Sequence, residues 1–157
     1  MSPVGSASPA RDDVLVNRRE IQIEWGDCDP ARIVFFPRYF AFFDASTAYL
    51  FEAAGLPKPE MLKRFDIVGI PLVDVGAQFF LPSRFGDRVV IETFVSEWKR
   101  SSFRVEHRLL RGDQLAIQAF EVRVWAARDP DQPEGIKARP IPQEVIARFM
   151  RPAPQAR

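Results

Sequence analysis

The chain has 157 residues, enough for one domain with a sizeable core and too few for two comfortable ones. Its 22 basic and 21 acidic side chains leave a net charge of +1, which does not indicate nucleic acid or an anionic membrane as a partner. Cys28 is the only cysteine and His107 the only histidine, so an intrachain disulfide is excluded and we expect no metal site. No apolar run approaches the ~20 residues of a membrane span, and the first residues lack the apolar core of a signal peptide, so we expect a cytoplasmic protein.

The first half of the chain has the pattern of a tail, a strand and a long helix. Residues 1–14 are small, polar and proline-bearing, which predicts a disordered tail before a single domain over residues 15–152. Apolar and polar residues alternate over residues 19–25, as in a half-buried strand. Residues 37–54 have a helical pattern that ends at Gly55, and they are apolar around nearly the whole circumference. We therefore expect other elements to enclose this helix.

The second half of the chain changes to the period of two that strands show. Predicted strands cover residues 67–81, 88–98, 103–111 and 114–127, with a tight hairpin turn at residues 112–113. A helical turn at residues 60–65, a short helix over residues 142–150 and a loose tail over residues 153–157 complete the chain. One strand, one long helix and four long antiparallel strands predict an α+β fold in which a curved sheet wraps a buried helix.

The clearest functional pattern lies between Glu24 and Ser46, in the segment EWGDCDPARIVFFPRYFAFFDAS. Asp27 and Asp29 lie near its beginning, and Pro37 begins the helix because proline is favoured at the first helical position. A loop with two carboxylates therefore leads into a helix N-terminus, which offers free backbone N–H groups and a partial positive charge. A carboxylate beside such donors suits attack on a carbonyl whose oxygen becomes anionic.

Three segments in order carry a resemblance to one family. They are the GDCDPA motif with the aromatic helix after it, residues 66–71 (DIVGIP) and residues 97–103 (EWKRSSF). Over roughly residues 17–128 the pattern resembles the 4-hydroxybenzoyl-CoA thioesterases of the hotdog-fold superfamily. The resemblance implies a hotdog fold, a curved antiparallel sheet of about five strands around a long central helix. It also implies hydrolysis of an aromatic acyl-CoA thioester, with coenzyme A as part of the substrate and no separate cofactor.

The resemblance assigns the chemistry to Asp29. In the family, the acid at this position attacks the thioester carbonyl or activates water for that attack, and the sequence leaves both routes open. In isolation an Asp-Pro pair is a common turn, so the assignment depends on the whole motif. We expect the oxyanion donor to be the backbone N–H of Phe36, since Pro37 has none. Arg32 stands where the family has Gly, and it is a candidate for contacting a CoA phosphate or a neighbouring subunit.

Residues of the helix are candidates for binding the acyl group. Asp44 shares one helical face with Pro37, and Phe36 and Phe40 are candidates for lining an aryl pocket. In the resembled family an acid at the position of Asp44 contacts the ring hydroxyl of the substrate. The alternative is that Asp44 binds a core Arg or a backbone group, because a buried unpaired acid costs several kcal/mol.

Lys99, Arg100 and Ser101 form a basic, polar turn between two predicted strands. Such a turn is usually a solvated hairpin end. The resembled family binds CoA phosphates with basic residues in this region, so we favour a CoA contact here. For Asp27 we expect a structural role as an acceptor of loop N–H groups, and for Cys28 a packing role.

Two other functions stay open from the residues alone. A hotdog acyl-CoA hydratase or dehydratase usually relies on a His–Asp or His–Glu pair, and His107 lies in mid-strand outside the motif. A non-catalytic acyl-CoA-binding domain would keep the pocket and dispense with Asp29. Whichever function is correct, the predicted sheet has free edges. We therefore expect a homodimer or homotetramer with the active cleft between protomers.

Overall fold

The computed structural model describes residues 13–150. The strands are β1 (Asn17–Gln22), β2 (Leu72–Phe79), β3 (Arg88–Trp98), β4 (Ser102–Arg111), β5 (Gln114–Val124), β6 (Ala126–Arg128) and β7 (Ile136–Ala138). The helices are α1 (Pro37–Ala53), α2 (Lys58–Phe65) and α3 (Gln143–Phe149). The two predicted tails lie outside the described residues, apart from Asp13 and Val14, and Val14 is buried.

Five strands form one antiparallel sheet in the order β1-β3-β4-β5-β2. β3 has the predicted bounds, and β4 begins one residue earlier than predicted. Burial alternates along β4, where Phe103, Val105, His107 and Leu109 are buried and the residues between them are partly exposed. This alternation gives the sheet one face toward the core, as the period of two predicts.

Helix α1 packs on that face of the sheet with one side. Pro37 begins the helix, and Gly55 follows its end at a φ of 78°, a left-handed conformation that glycine adopts freely. Phe43 stacks on the His107 ring at 4.9 Å between centroids, and Phe51 lies 5.7 Å from the Phe103 ring. The first half of the helix therefore covers one end of the sheet and the second half covers the other.

The expectation that other elements enclose the whole of α1 is wrong for a single protomer. Ala41, Asp44, Ala48 and Tyr49 are exposed on the side away from the sheet. The physical reason is that a single sheet shields only the helix face that it touches. The exposed side also carries Arg38 and Glu52, and it is available to another subunit or a ligand.

Three predicted element boundaries were also wrong. β1 ends at Gln22, and Trp25 is 72% exposed because it begins a short 3₁₀ turn, closed by the Glu24 N–H donating to Asp27 Oδ2. The strand predicted from residue 67 begins only at Leu72. The last strand breaks after Val124, and β6 pairs with β7 instead.

Candidate active site

The loop that carries Asp29 is closed by its own backbone. The Asp29 N–H donates to the Ile33 carbonyl oxygen at 3.0 Å, and the Arg32 N–H donates to the Asp29 carbonyl oxygen at 2.8 Å. Asp29 Oδ1 accepts the Ala31 N–H at 2.8 Å, whereas Oδ2 has no partner within residues 13–150. The half-buried carboxylate is therefore oriented through one oxygen and presents the other.

Arg32 adopts the backbone conformation that glycine would have in this loop. Its φ is 66°, in the left-handed region that non-glycine residues rarely occupy. The loop therefore keeps its turn despite the larger residue, at a cost in backbone strain. The Arg32 side chain is exposed, and it forms no ion pair with any of the residues that the structure describes.

Asp27 ties the same loop to the start of α1. Its side chain is buried, accepts the Glu24 N–H at 2.9 Å, and binds Nε and Nη2 of Arg38 at 3.1 and 3.0 Å. This confirms the expected structural role. Cys28 is half-buried and packs against the core, and its Sγ lies 3.7 Å from the Glu24 carbonyl oxygen. No basic side chain among residues 13–150 binds this thiol.

The N-terminus of α1 has a free backbone donor. Phe36 precedes the helix, no side chain caps it, and Pro37 has no N–H. The N–H groups of Arg38 and Tyr39 donate to the carbonyl oxygens of Phe35 and Phe36 at 2.8 and 3.1 Å. Among residues 13–150, the Phe36 N–H has no acceptor, so it is available to a bound oxyanion.

An apolar cleft of about 260 Å³ lies beside this helix N-terminus, lined by Phe36, Tyr39 and Phe79 among others. The Tyr39 hydroxyl accepts the Ser83 N–H at 3.3 Å. Burial raises the pKa of Tyr39 above its ordinary value, against the lowering effect of its hydrogen bonds with Ser83. The hydroxyl therefore stays protonated near neutral pH.

Asp44 lies on the exposed side of α1, in line with Pro37 and Phe40. Its side chain is 71% exposed, yet Oδ1 accepts a hydrogen bond from Nη2 of Arg123 at 2.6 Å. The sequence left a core Arg and a substrate hydroxyl as alternative partners. Asp44 binds the core residue Arg123, and its carboxylate is also exposed to solvent, where a substrate could contact it.

A buried polar network beneath α1 was missed by sequence reasoning. His107 lies between Thr93 Oγ1, 2.9 Å from Nδ1, and Glu121 Oε1, 3.1 Å from Nε2, and Thr47 donates to the same Glu121 oxygen. Burial by itself would raise the pKa of Glu121, but hydrogen bonds from His107 and Arg123 outweigh it and lower the pKa to about 2. The available signal was that Glu121 and Arg123 occupy inward positions of a strand, where apolar residues are the rule.

This network contains a His–Glu pair of the kind that hydratases use. His107 is 0% exposed, and Phe43 covers its ring. A substrate cannot reach the pair in this arrangement. Thr47 and Phe43 of α1 contact the pair, so it lies at the interface between helix and sheet and gives no support to the hydratase alternative.

Lys99, Arg100 and Ser101 lie far from Asp29 in the protomer. The Asp29 loop adjoins the beginning of β3, where the Ile23 N–H donates to Asp87, and the basic turn follows the end of β3. β3 has 11 residues, which corresponds to a length of about 33 Å, and the two sites adjoin its opposite ends. The side chains of Lys99 and Arg100 are exposed and bind no other side chain within residues 13–150. The carbonyl oxygens of Ser101 and Arg100 accept the N–H groups of Trp125 and Ile141.

The antiparallel sheet with α1 on one face is a hotdog fold, and the fold and site together define an acyl-CoA thioester hydrolase. The family model of the Thioesterase-like superfamily matches residues 23–149, and the chain belongs to that family. No helix among residues 13–150 is long and apolar enough to cross a membrane.

The similarity extends to characterised relatives. The chain is 39% identical, over 132 residues, to the 4-hydroxybenzoyl-CoA thioesterase of Pseudomonas sp. (strain CBS-3), covering 80% of this chain and 91% of that protein. The crystal structure of an Asp-to-Asn mutant of a 4-hydroxybenzoyl-CoA thioesterase, complexed with 4-hydroxybenzoyl-CoA, has a TM-score of 0.78 at 33% identity and covers 85% of this chain and 98% of that one. The gentisyl-coenzyme A thioesterase BH1999 has a TM-score of 0.72 at 30% identity with the same coverage.

Proposed function

We propose that this protein hydrolyses a hydroxybenzoyl-like aromatic CoA thioester to the free acid and CoA, with Asp29 as the nucleophile or the general base. The proposal depends on one observation: the Asp29 loop leads directly into α1, where the Phe36 N–H has no acceptor among residues 13–150. The relatives add support, because two of them are named for hydroxylated aromatic acyl-CoA substrates. The Asp-to-Asn mutant complexed with its acyl-CoA fits a reaction that needs an aspartate.

Two routes are compatible with one free oxygen on Asp29. In the first, Oδ2 attacks the thioester carbon, the C–S bond breaks, and CoA leaves as the thiolate, giving a mixed anhydride that water then hydrolyses. In the second, Oδ2 takes a proton from water as that water attacks the same carbon, and the C–S bond then breaks to release CoA as the thiolate. In both routes the carbonyl oxygen becomes anionic and the Phe36 N–H stabilises it.

The acyl group would lie along the exposed side of α1. Pro37 and Phe40 would contact its ring, and Asp44 would accept a hydrogen bond from a ring hydroxyl. Seven residues separate Pro37 from Asp44, which is about 10 Å along the helix axis. This length suits a benzoyl group whose carbonyl lies at the helix N-terminus and whose para substituent lies beside Asp44.

The CoA part of the substrate supports a site shared between subunits. Within one protomer, Lys99, Arg100 and Ser101 follow the end of β3 that is opposite to the Asp29 loop. We therefore place those residues on a neighbouring subunit, with Arg32 as a further candidate for a phosphate. The assembly would be a homodimer or homotetramer, acting in the cytoplasm on a diffusible acyl-CoA without a cofactor, a metal, nucleic acid or a membrane.

The test is release of free CoA thiol, followed with a thiol reagent. The panel would contain 4-hydroxybenzoyl-CoA, benzoyl-CoA, an aliphatic acyl-CoA and crotonyl-CoA. Thiol release that is fastest with 4-hydroxybenzoyl-CoA would support the proposal. Hydration of crotonyl-CoA without thiol release would instead identify a hydratase, and binding of acyl-CoA with neither reaction would identify a binding domain.

A further inference from the structure

Arg123 connects the buried face of the sheet to the exposed carboxylate of Asp44. The Arg123 side chain is 8% exposed, and that of Asp44 is 71% exposed. Nη2 donates to Asp44 Oδ1 at 2.6 Å, and Nη1 donates to the Ile70 carbonyl oxygen at 3.0 Å. Arg123 extends from strand β5, and the Ile70 carbonyl oxygen accepts a hydrogen bond from its guanidinium. The orientation of the group that donates to Asp44 is therefore fixed.

Glu121 is a second, buried carboxylate partner of Arg123. Nε and Nη2 of Arg123 donate to the two oxygens of Glu121 at 3.2 and 3.0 Å. Glu121 is in turn bound by His107 and Thr47. One buried guanidinium is therefore shared between two carboxylates, and Asp44 is the carboxylate at which the network reaches the surface.

We propose that Arg123 is a positioning residue that presents Asp44 as an oriented, anionic acceptor, so that the acyl site selects ring substituents that are neutral hydrogen-bond donors. The inference rests on the proposed function, because it takes Asp44 as the residue that meets the ring substituent.

The selection follows from the charges and contacts of Asp44. Oδ1 is occupied by Arg123, and Oδ2 has no partner among residues 13–150, so Oδ2 is free to accept from a ring hydroxyl or amino group. A ring carboxylate would face a like charge. An unsubstituted ring bound against Asp44 would displace water from this acceptor without replacing its hydrogen bond.

The test compares kcat/KM for 4-hydroxybenzoyl-, 4-aminobenzoyl-, benzoyl- and 4-carboxybenzoyl-CoA. For the parent we expect the hydroxyl and amino substrates to be fastest and the carboxylate to be slowest. Arg123→Lys keeps a charge, but a compact ammonium cannot bind both Glu121 oxygens and Asp44 together. We expect it to lower the hydroxybenzoyl-to-benzoyl ratio about tenfold, the size of one lost hydrogen bond to a charged group, with little change for benzoyl-CoA.

Two further variants keep the test decisive. Arg64→Lys changes an exposed ion pair with Glu144 and should leave the ratio unchanged. If Arg123→Lys does not fold, the double variant Arg123→Met with Glu121→Gln removes both buried charges together, which avoids leaving one of them unpaired. The double variant should show the same fall in the ratio.

The outcomes separate this inference from the proposed function. If Asp44→Ala lowers the hydroxybenzoyl-to-benzoyl ratio and the Arg123 variants do not, the positioning role is overturned while the proposed substrate stands. Fast hydrolysis of 4-carboxybenzoyl-CoA overturns the charge argument. A parent ratio near one, or no hydrolysis of any aryl-CoA, removes the proposed substrate and this inference together.

Discussion

Two nitrogens of the Arg38 guanidinium bind a single oxygen of Asp27, at 3.1 Å from Nε and 3.0 Å from Nη2. Arg38 lies in the first turn of α1, and Asp27 lies two residues before Asp29. This ion pair therefore ties the loop that carries Asp29 to the helix N-terminus at which Phe36 lies.

We expect Arg38→Met to lower both stability and turnover. Asp27 is buried and would lose its charged partner, which costs about 1–3 kcal/mol for an unsatisfied group. Thermal unfolding and steady-state kinetics would measure the loss. Arg88→Met is the matched control, because it breaks an exposed ion pair with Glu20 at 2.9 Å and should change little. An equal effect of the two substitutions would contradict the connecting role of Arg38.

We expect Asp29→Asn to lower kcat by about 10²- to 10⁴-fold while acyl-CoA binding persists, because the change keeps the size of the side chain and removes its charge. Single-turnover kinetics and calorimetric binding of 4-hydroxybenzoyl-CoA would measure the two quantities. Asp27→Asn should cost less and act through loop stability, and Cys28→Ser should be nearly neutral. Turnover by Asp29→Asn within a few-fold of the parent would remove Asp29 from the mechanism.

We expect Glu121 to make the protein sensitive to acid. Its pKa is lowered from 4.5 to about 2 in the folded state, so the unfolded state binds the proton more readily. The resulting stabilisation is present above about pH 4.5 and is lost as the pH falls toward 2. Urea unfolding at a series of pH values should show a shallower slope in this window for Glu121→Gln. Glu20→Gln, at an exposed position, is the control and should keep the parent slope.

We expect Gly76→Ala to destabilise the edge of the sheet. A Cβ at Gly76 would lie 2.5 Å from Cε1 of the Phe120 ring, which packs across from it on β5. Overpacking of this kind costs about 1–3 kcal/mol, measured as a lower free energy of unfolding. Gly26→Ala is the control, since nothing lies within 4 Å of its Cβ. Adding Phe120→Leu to Gly76→Ala should recover part of the loss, and strict additivity would contradict the steric cause.

We expect a dimer or larger assembly at micromolar concentration. Strand β2 is an edge of the sheet, and it exposes Val73 and Val75, at 61% and 40%. Light scattering on the parent and on Val75→Lys should show a shift toward monomer in the variant. Ile136→Lys, at a 56% exposed position on β7, should leave the mass unchanged. A monomeric parent would contradict both the assembly and the shared site.

Local patterns in the sequence were sufficient for much of the fold. Pro37 and Gly55 mark the helix by backbone preferences that operate within one turn, and the turn at Gly112 and Asp113 joins β4 to β5 as predicted. Trp25 was placed in a strand because alternation extends through it, whereas a hydrogen bond between Glu24 and Asp27 turns the chain there. An alternating pattern of apolar and polar residues shows which face of a sheet each side chain occupies. The end of a strand depends on hydrogen bonds with the neighbouring strand, which the pattern does not contain.

The candidate site was predictable as a set of residues where it is contiguous in sequence. Asp27, Asp29 and Phe36 belong to one motif; the structural role of Asp27 is confirmed, and the catalytic roles of Asp29 and Phe36 stay predictions. The contact between Asp44 and Arg123 joins residues 79 positions apart. No periodicity within either segment indicates such a pair, because each residue obeys the pattern of its own element.

The backbone conformation of Arg32 adds conformational strain to the active-site loop. Its left-handed backbone costs about 1–2 kcal/mol relative to the right-handed form, and every folded molecule bears that cost whether or not substrate is bound. Glycine at this position would relieve it. The exposed guanidinium of Arg32 is therefore carried by a backbone conformation that stores strain in the folded state.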